Sequence, residues 1–197
     1  MKFALLMSML LGQETLVAAR GKISDLLTDF KYASSDNFLK TQVYPSGTPC
    51  LLRTEALDAL VNAADALRRQ GFRIKVFDCY RPRSVQYAMW KILPKPGYVA
   101  NPRHGSNHNR GVAVDLTLTD ADATEVEMPT PFDFFGREAH HSYAGGTLLS
   151  RQNRKLLCST MEAAGFRRNP MEWWHYDLDQ ARDFPILDKT FGEAPSQ

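Results

Sequence analysis

The sequence predicts a small single domain of the α+β class, a mainly antiparallel sheet with about three helices packed around it. Three observations carry this. Apolar residues recur at three- and four-residue spacing in stretches 54–70, 83–93 and 150–164. Shorter stretches alternate apolar with polar residues or are rich in strand-forming types. The two kinds follow one another without a strand–helix–strand rhythm, which argues against a parallel sheet. At 197 residues the chain suffices for one domain with a sizeable core.

In chain order, Lys2 precedes an apolar block at 3–11, and a polar stretch then ends in Val17-Ala18-Ala19. That pattern suits a secretory signal over residues 1–19, cleaved after Ala19, with 20–197 as the mature domain in a periplasm. The alternative is an attached amphipathic helix on a cytoplasmic protein. Residues 23–32 read as extended, with a strand through 29–32, and 34–49 as irregular. In 54–70, Leu57, Leu60, Val61, Ala64 and Leu67 form one stripe, Thr54 can cap the start, and Gly71 suits the left-handed residue past the end. Residues 72–77 alternate as a strand, 78–82 break it, and 83–93 form a second helix with Val85, Ala88, Met89 and Ile92 inward. Two long connections, 94–105 and 119–147, are rich in Pro and Gly; loops of that length in a compact domain are usually functional. Between them, 106–118 ends in a buried strand. A third helix, 150–164, is capped by Ser150 and followed by Gly165, and 172–178 reads as a strand.

Net charge is +2 with the cations scattered, which gives no case for nucleic acid. No apolar run approaches a membrane span. The three cysteines, Cys50, Cys79 and Cys158, have no framework spacing and read as small buried hydrophobes.

The chemistry starts from Asp115, in the middle of the buried strand. A buried carboxylate is costly unless paired, hydrogen-bonded or bound to metal. His108 lies seven residues earlier, with Gly111 between them to turn the chain. Imidazole and carboxylate are both good zinc ligands, and catalytic zinc keeps three protein ligands. A third must come from His104, His140, His141 or His175. His175 is the most interesting, in Glu172-Trp173-Trp174-His175. Zinc there would lower the pKa of bound water to about 7, and a glutamate could take the proton. In a regular strand, however, Glu172 and His175 face opposite ways, so a bulge or twist is needed. Arg81, in the break after a strand, could stabilise an oxyanion. The plain alternatives are a hydrogen-bonded His108–Asp115 pair, a surface ion pair for Arg81, a surface Glu172, core tryptophans, and loop-surface His140-His141.

The motifs Ser106-x-His108-x-x-Gly111-x-Ala113-x-Asp115 and Glu172-x-Trp174-His175 resemble the zinc D-Ala-D-Ala peptidases, and more closely the VanX-type D-alanyl-D-alanine dipeptidases. Asp78-x-Tyr80-Arg81-Pro82, Gly97-Tyr98-Val99-Ala100, Phe132-Asp133 and His140-His141 extend the resemblance. It implies one zinc per chain on His108, Asp115 and His175, Glu172 as general base and then acid, and Arg81 on the tetrahedral intermediate. It also implies Ser106, Tyr32 and Asp133 as pocket residues, Asp133 near the substrate ammonium. The implied substrate is a small dipeptide, D-alanyl-D-alanine. The rivals are a zinc D,D-carboxypeptidase trimming longer stem peptides and a non-catalytic cell-wall-peptide module.

Overall fold

The structure is a computed structural model that describes residues 15–193. Five strands form the main sheet in the order β2 (Leu27–Thr28), β4 (Arg73–Asp78), β5 (Ala113–Thr119), β7 (His175–Leu178), β6 (Phe166–Arg168). Only β2 and β4 run parallel; the other pairs are antiparallel. A separate antiparallel pair joins β1 (Leu16–Ala18) to β3 (Leu51–Arg53). The helices are α1 (Thr54–Arg68), α2 (Arg83–Ile92) and α3 (Leu148–Ala163). The α+β architecture and its mainly antiparallel sheet are as the sequence predicts.

Strand β5 is central and buried along its whole length. Side chains alternate along it, so its two faces do different work. Val114, Leu116 and Leu118 join Leu57 and Leu60 of α1 and Leu157 and Met161 of α3 in the main core. Asp115 and Thr117 face the other way. On that side Tyr32, Tyr44, Val85, Met89 and Val99 make a second cluster beneath α2.

One irregularity positions the site. Val76 pairs with Leu116, but the next pair is Asp78 with Asp115, so β4 bulges at Phe77. A bulge inserts one residue and re-aims the side chains beyond it. It sets Asp78 directly across from Asp115, which itself lies across from His175. Directly opposed residues share a face, so three polar side chains form a row across three strands.

Several local expectations are corrected. Arg53 stands at the N-cap of α1 without a side-chain cap, and Thr54 is already helical. Helix α3 starts at Leu148; Thr147 caps it, its hydroxyl accepting from the Ser150 amide at 3.0 Å. The strand expected through 29–32 is a 3-10 turn over Lys31–Ala33, which carries Tyr32 into the second cluster. The strand expected over 172–178 begins only at His175. Cys50 and Cys79 are disulfide-bonded, and only Cys158 is a free buried thiol. Residues 1–14 lie outside the described residues, but the boundary expected after Ala19 falls inside the fold. Leu16 is 1% exposed, Ala19 is 0% exposed, and β1 is paired along its length with β3. A chain cut there would lack that buried strand. Gly111 has φ +71°, and a Cβ on it would meet Leu16 Cδ2 at 2.6 Å, so β1 packs onto the turn that follows His108.

Candidate metal centre

His108 sits in a 3-10 turn, His108–Arg110, that Gly111 closes in the left-handed conformation. The Arg81 amide donates to the His108 carbonyl at 3.2 Å, tying the turn to the end of β4. His175 opens β7, beside Asp115. The three side chains converge. His175 Nδ1 lies 2.9 Å from Asp115 Oδ1 and 3.2 Å from His108 Nε2, which is 3.3 Å from the same Asp115 oxygen.

The outer partners fix the tautomers. His108 Nδ1 is 2.7 Å from the Cys79 carbonyl, which can only accept, so the ring proton sits there and Nε2 keeps its lone pair. His175 Nε2 is 2.9 Å from Asp177 Oδ1, so with a single ring proton it carries it there and leaves Nδ1 free. Three ligand atoms then face one another, and in the metal-free protein only a proton on His175 Nδ1, donated to Asp115, separates them. A cation resolves that arrangement. Tetrahedral donors bonded at about 2.1 Å to a divalent ion lie about 3.4 Å apart, slightly wider than the triangle seen here. His108, Asp115 and His175 could therefore hold a metal ion, and the donor set fits one. The electrostatics agree: despite burial, Asp177 and Asp115 hold the His175 imidazole well above its ordinary pKa, a field that favours positive charge at this point.

Glu172 lies in the same cavity, of about 650 Å³. The strand objection disappears because Glu172 is in the turn before β7. Its amide donates to the Asn169 carbonyl at 3.3 Å, and the His175 amide donates to the Glu172 carbonyl at 3.3 Å. Glu172 is 4% exposed, and its Oε2 accepts from Asn169 Nδ2 at 2.7 Å. Burial pushes its carboxyl well up; His175 opposes this, and Asp115 and Asp133 add to it.

Arg81 is buried and clamped. Its Nε and Nη2 donate to Asp78 Oδ2 at 2.9 and 2.7 Å, and Nη1 donates to Gln86 Oε1 at 2.8 Å. Asp78 is held in turn by the Tyr44 hydroxyl at 2.8 Å. Arg81 Nη2 lies 3.8 Å from Asp115 Oδ2, so the guanidinium overlooks the metal ligands. The surface ion pair considered for Arg81 is a buried one.

Tyr32, Ser106 and Asp133 also line the cavity. The Tyr32 hydroxyl donates to both oxygens of Asp133, at 3.0 and 3.2 Å. Burial first, then Asp115, pushes the Asp133 carboxyl up to about 8. Ser106 Oγ accepts from the His108 amide at 3.2 Å, so it also supports the ligand turn. Both long connections supply walls, Gly97–Ala100 and His104 from one and Asp133 and Phe135 from the other. His140 is not loop surface: its Nε2 is 2.9 Å from the Tyr98 hydroxyl at the cavity wall. His104, His140 and His141 lie outside the metal-ligand group found among the described residues.

Sequence reasoning missed Asp78, Gln86, Asn169 and Asp177. Asp177 had a usable signal: it stands two residues after His175 in a strand, on the same face. Asp78 had a weaker one, a carboxylate three residues before Arg81. Gln86 and Asn169 act through contacts that only the fold creates.

The sequence profile of the peptidase M15 family, described as D-ala-D-ala dipeptidase, matches residues 13–197. The D-alanyl-D-alanine dipeptidase of Escherichia coli K12 is 35% identical over 167 residues, covering 85% of this chain and 86% of that protein. The D-alanyl-D-alanine dipeptidase of Enterococcus faecium is 34% identical over 186 residues, covering 83% and 89%. That of Enterococcus faecalis V583 is 33% identical over 191 residues, covering 85% and 92%.

Proposed function

Because the chain belongs to the peptidase M15 family of D-Ala-D-Ala dipeptidases, we propose that it hydrolyses D-alanyl-D-alanine to two D-alanines with zinc as its metal. The observation that carries the proposal is one cavity holding a His-Asp-His triangle of metal-ligand atoms, a buried glutamate and a clamped arginine. Zinc on His108, Asp115 and His175 supplies the acidity that makes water a nucleophile at neutral pH and polarises the scissile carbonyl.

The residues of the chain do the rest. Glu172 accepts a proton from the attacking water and delivers it to the departing amine. Its high proton affinity, set by burial, suits both halves of that transfer. With a cation held by His108, Asp115 and His175, Glu172 would ionise more readily than burial and the neighbouring carboxylates alone allow. Arg81 holds positive charge beside the carbonyl oxygen as it becomes an oxyanion. Asp78 and Gln86 fix the guanidinium in advance, so little reorganisation accompanies the reaction. Asp133, oriented by Tyr32, receives the substrate ammonium, and the incoming cation favours its ionised form. Ser106 completes the wall beside His108.

An extracytoplasmic location is part of the proposal. The Cys50–Cys79 disulfide supports it, since such bonds persist in oxidising compartments. Recovery of the native protein from the cytoplasmic fraction with both cysteines reduced would remove that part.

The deciding experiment is a zinc-dependent hydrolysis assay on D-Ala-D-Ala, its L-isomers, and longer or N-blocked peptides ending in D-Ala-D-Ala. Turnover confined to the free dipeptide is expected. Preference for the longer peptides would instead indicate a D,D-carboxypeptidase, and zinc binding without turnover a binding module.

A further inference from the structure

A second cavity, of about 470 Å³, lies between α3 and β6. Its position follows from strand alternation: His175 faces the metal centre, so Tyr176 faces the opposite side of the sheet. Four cations line it, Arg151, Arg154, Lys155 and Arg168, against one acid, Glu162. Glu162 is already engaged by Arg168 Nε at 3.3 Å. Three of the cations come from one face of α3, at positions three and four residues apart.

Among the described residues, one buried polar atom of the lining has no hydrogen-bond partner, His141 Nε2, and the Tyr176 hydroxyl behind the lining has none either. Tyr176 is 0% exposed. The charged groups acting on its hydroxyl are Cys158, Glu162, Arg168 and Arg154, all of which line the cavity. His141 lines the cavity too, its ring 6.0 Å from the Tyr176 ring in an edge-on contact. Burial, with Arg168 and Arg154 adding to it, holds the His141 imidazole down at about 4 and hence neutral. Buried polar groups are normally satisfied, and exceptions call for a ligand or a role. Like charges gathered on one concavity without matching acids call for an anion.

We propose that this cavity is a binding site for a small oxyanion, with inorganic phosphate the best-matched ligand. Phosphate brings up to two negative charges and acceptor oxygens for guanidinium and ammonium donors. Its protonated oxygen can donate to His141 Nε2. The site also touches the metal centre indirectly. The His141 amide donates to the Pro170 carbonyl at 3.1 Å, and Arg154 donates to the His140 carbonyl at 3.0 Å. Both contacts abut the turn that presents Glu172.

Cys158 gives a local reporter, because it lines the cavity and is the one cysteine outside the disulfide. The zinc-loaded protein is treated with N-ethylmaleimide in phosphate, in acetate, and in chloride at matched ionic strength. Phosphate at ten times its dissociation constant is expected to slow alkylation about tenfold relative to chloride. Lys155→Glu, at an exposed position, is expected to abolish that protection. A saturable shift of the His141 imidazole resonance during phosphate titration is the second readout. Equal protection by acetate would keep the oxyanion site and assign it to carboxylates. Equal alkylation in all three salts with no saturable shift, or protection that survives Lys155→Glu, would overturn the proposal.

Discussion

Replacing both bridged cysteines, Cys50→Ala with Cys79→Ala, tests the link between a covalent constraint and the metal centre. The bridge closes a loop of 29 residues. On the chain-entropy account, opening a loop of that length returns about 12 cal/mol/K to the unfolded chain, or about 3.6 kcal/mol at 25 °C. For a domain of this size each kcal/mol moves Tm by about 2–4 °C, so a fall of about 7–14 °C is expected. The effect should reach the ligands. Cys79 follows Asp78 and offers its carbonyl to His108 Nδ1 at 2.7 Å, and the Tyr80 amide is tied to the Leu51 carbonyl at 3.0 Å. The substitution keeps that carbonyl but frees the backbone that aims it, so metal binding should weaken by about 10-fold, the lower end of the effect of losing an outer partner outright. Differential scanning fluorimetry of the metal-free protein gives the first quantity and competition with a zinc chelator the second. Thiol titration of the denatured, unreduced wild type should find one free thiol. Three thiols, or a variant with unchanged Tm, would refute the reasoning.

Glu172→Gln keeps the shape of the side chain and the Asn169 contact but cannot take up a proton; turnover should fall by about 10²–10⁴-fold with zinc content unchanged, and near-normal turnover would dismiss the base assignment. Asp133 bears on stability against pH. Its folded pKa is raised to about 8 from an ordinary 3.8, so its contribution is present below pH 4 and is lost as pH rises towards 8. In the metal-free protein, Asp133→Asn should therefore gain in Tm over wild type on going from pH 4 to pH 9; a constant difference across that range would contradict the burial argument. A chain beginning at residue 20 lacks β1 and with it the buried side chain of Leu16, worth about 1.5–3 kcal/mol alone. It should be less soluble and lower in Tm than one beginning at residue 15, and equal stability would mean that β1 is dispensable.

The features legible in the sequence were local or periodic. The α1 stripe is fixed by spacing alone, and its residues Leu57, Leu60 and Leu67 are all fully buried. The α3 start was displaced because Thr147 and Ser150 can both cap, and only the helix axis decides between them. Glu172–Trp174 looked like strand because Trp and His tolerate strands; the turn there depends on the Asn169 carbonyl and on Trp173 reaching the Ala139 carbonyl at 3.0 Å, across a long loop. The candidate metal ligands stood out because an aspartate in an apolar strand is costly unless something offsets it. Asp78 and Gln86 did not, since their value lies in holding Arg81. The cysteine pairing was invisible because a separation of 29 residues says nothing about proximity.

The bulge at Phe77 divides β4 into two parts with different evolutionary freedom. Upstream of it, Arg73–Val76 keep step with Leu116–Thr119, and conservative swaps there alter packing alone. Downstream, the frame is set by the extra residue: paired without the shift, Phe77 would stand opposite Asp115, and Asp78 would turn towards the apolar side and leave Arg81 without its anchor. Deleting Phe77 itself would close the bulge with Asp78 still opposite Asp115, and its cost would be the buried core ring.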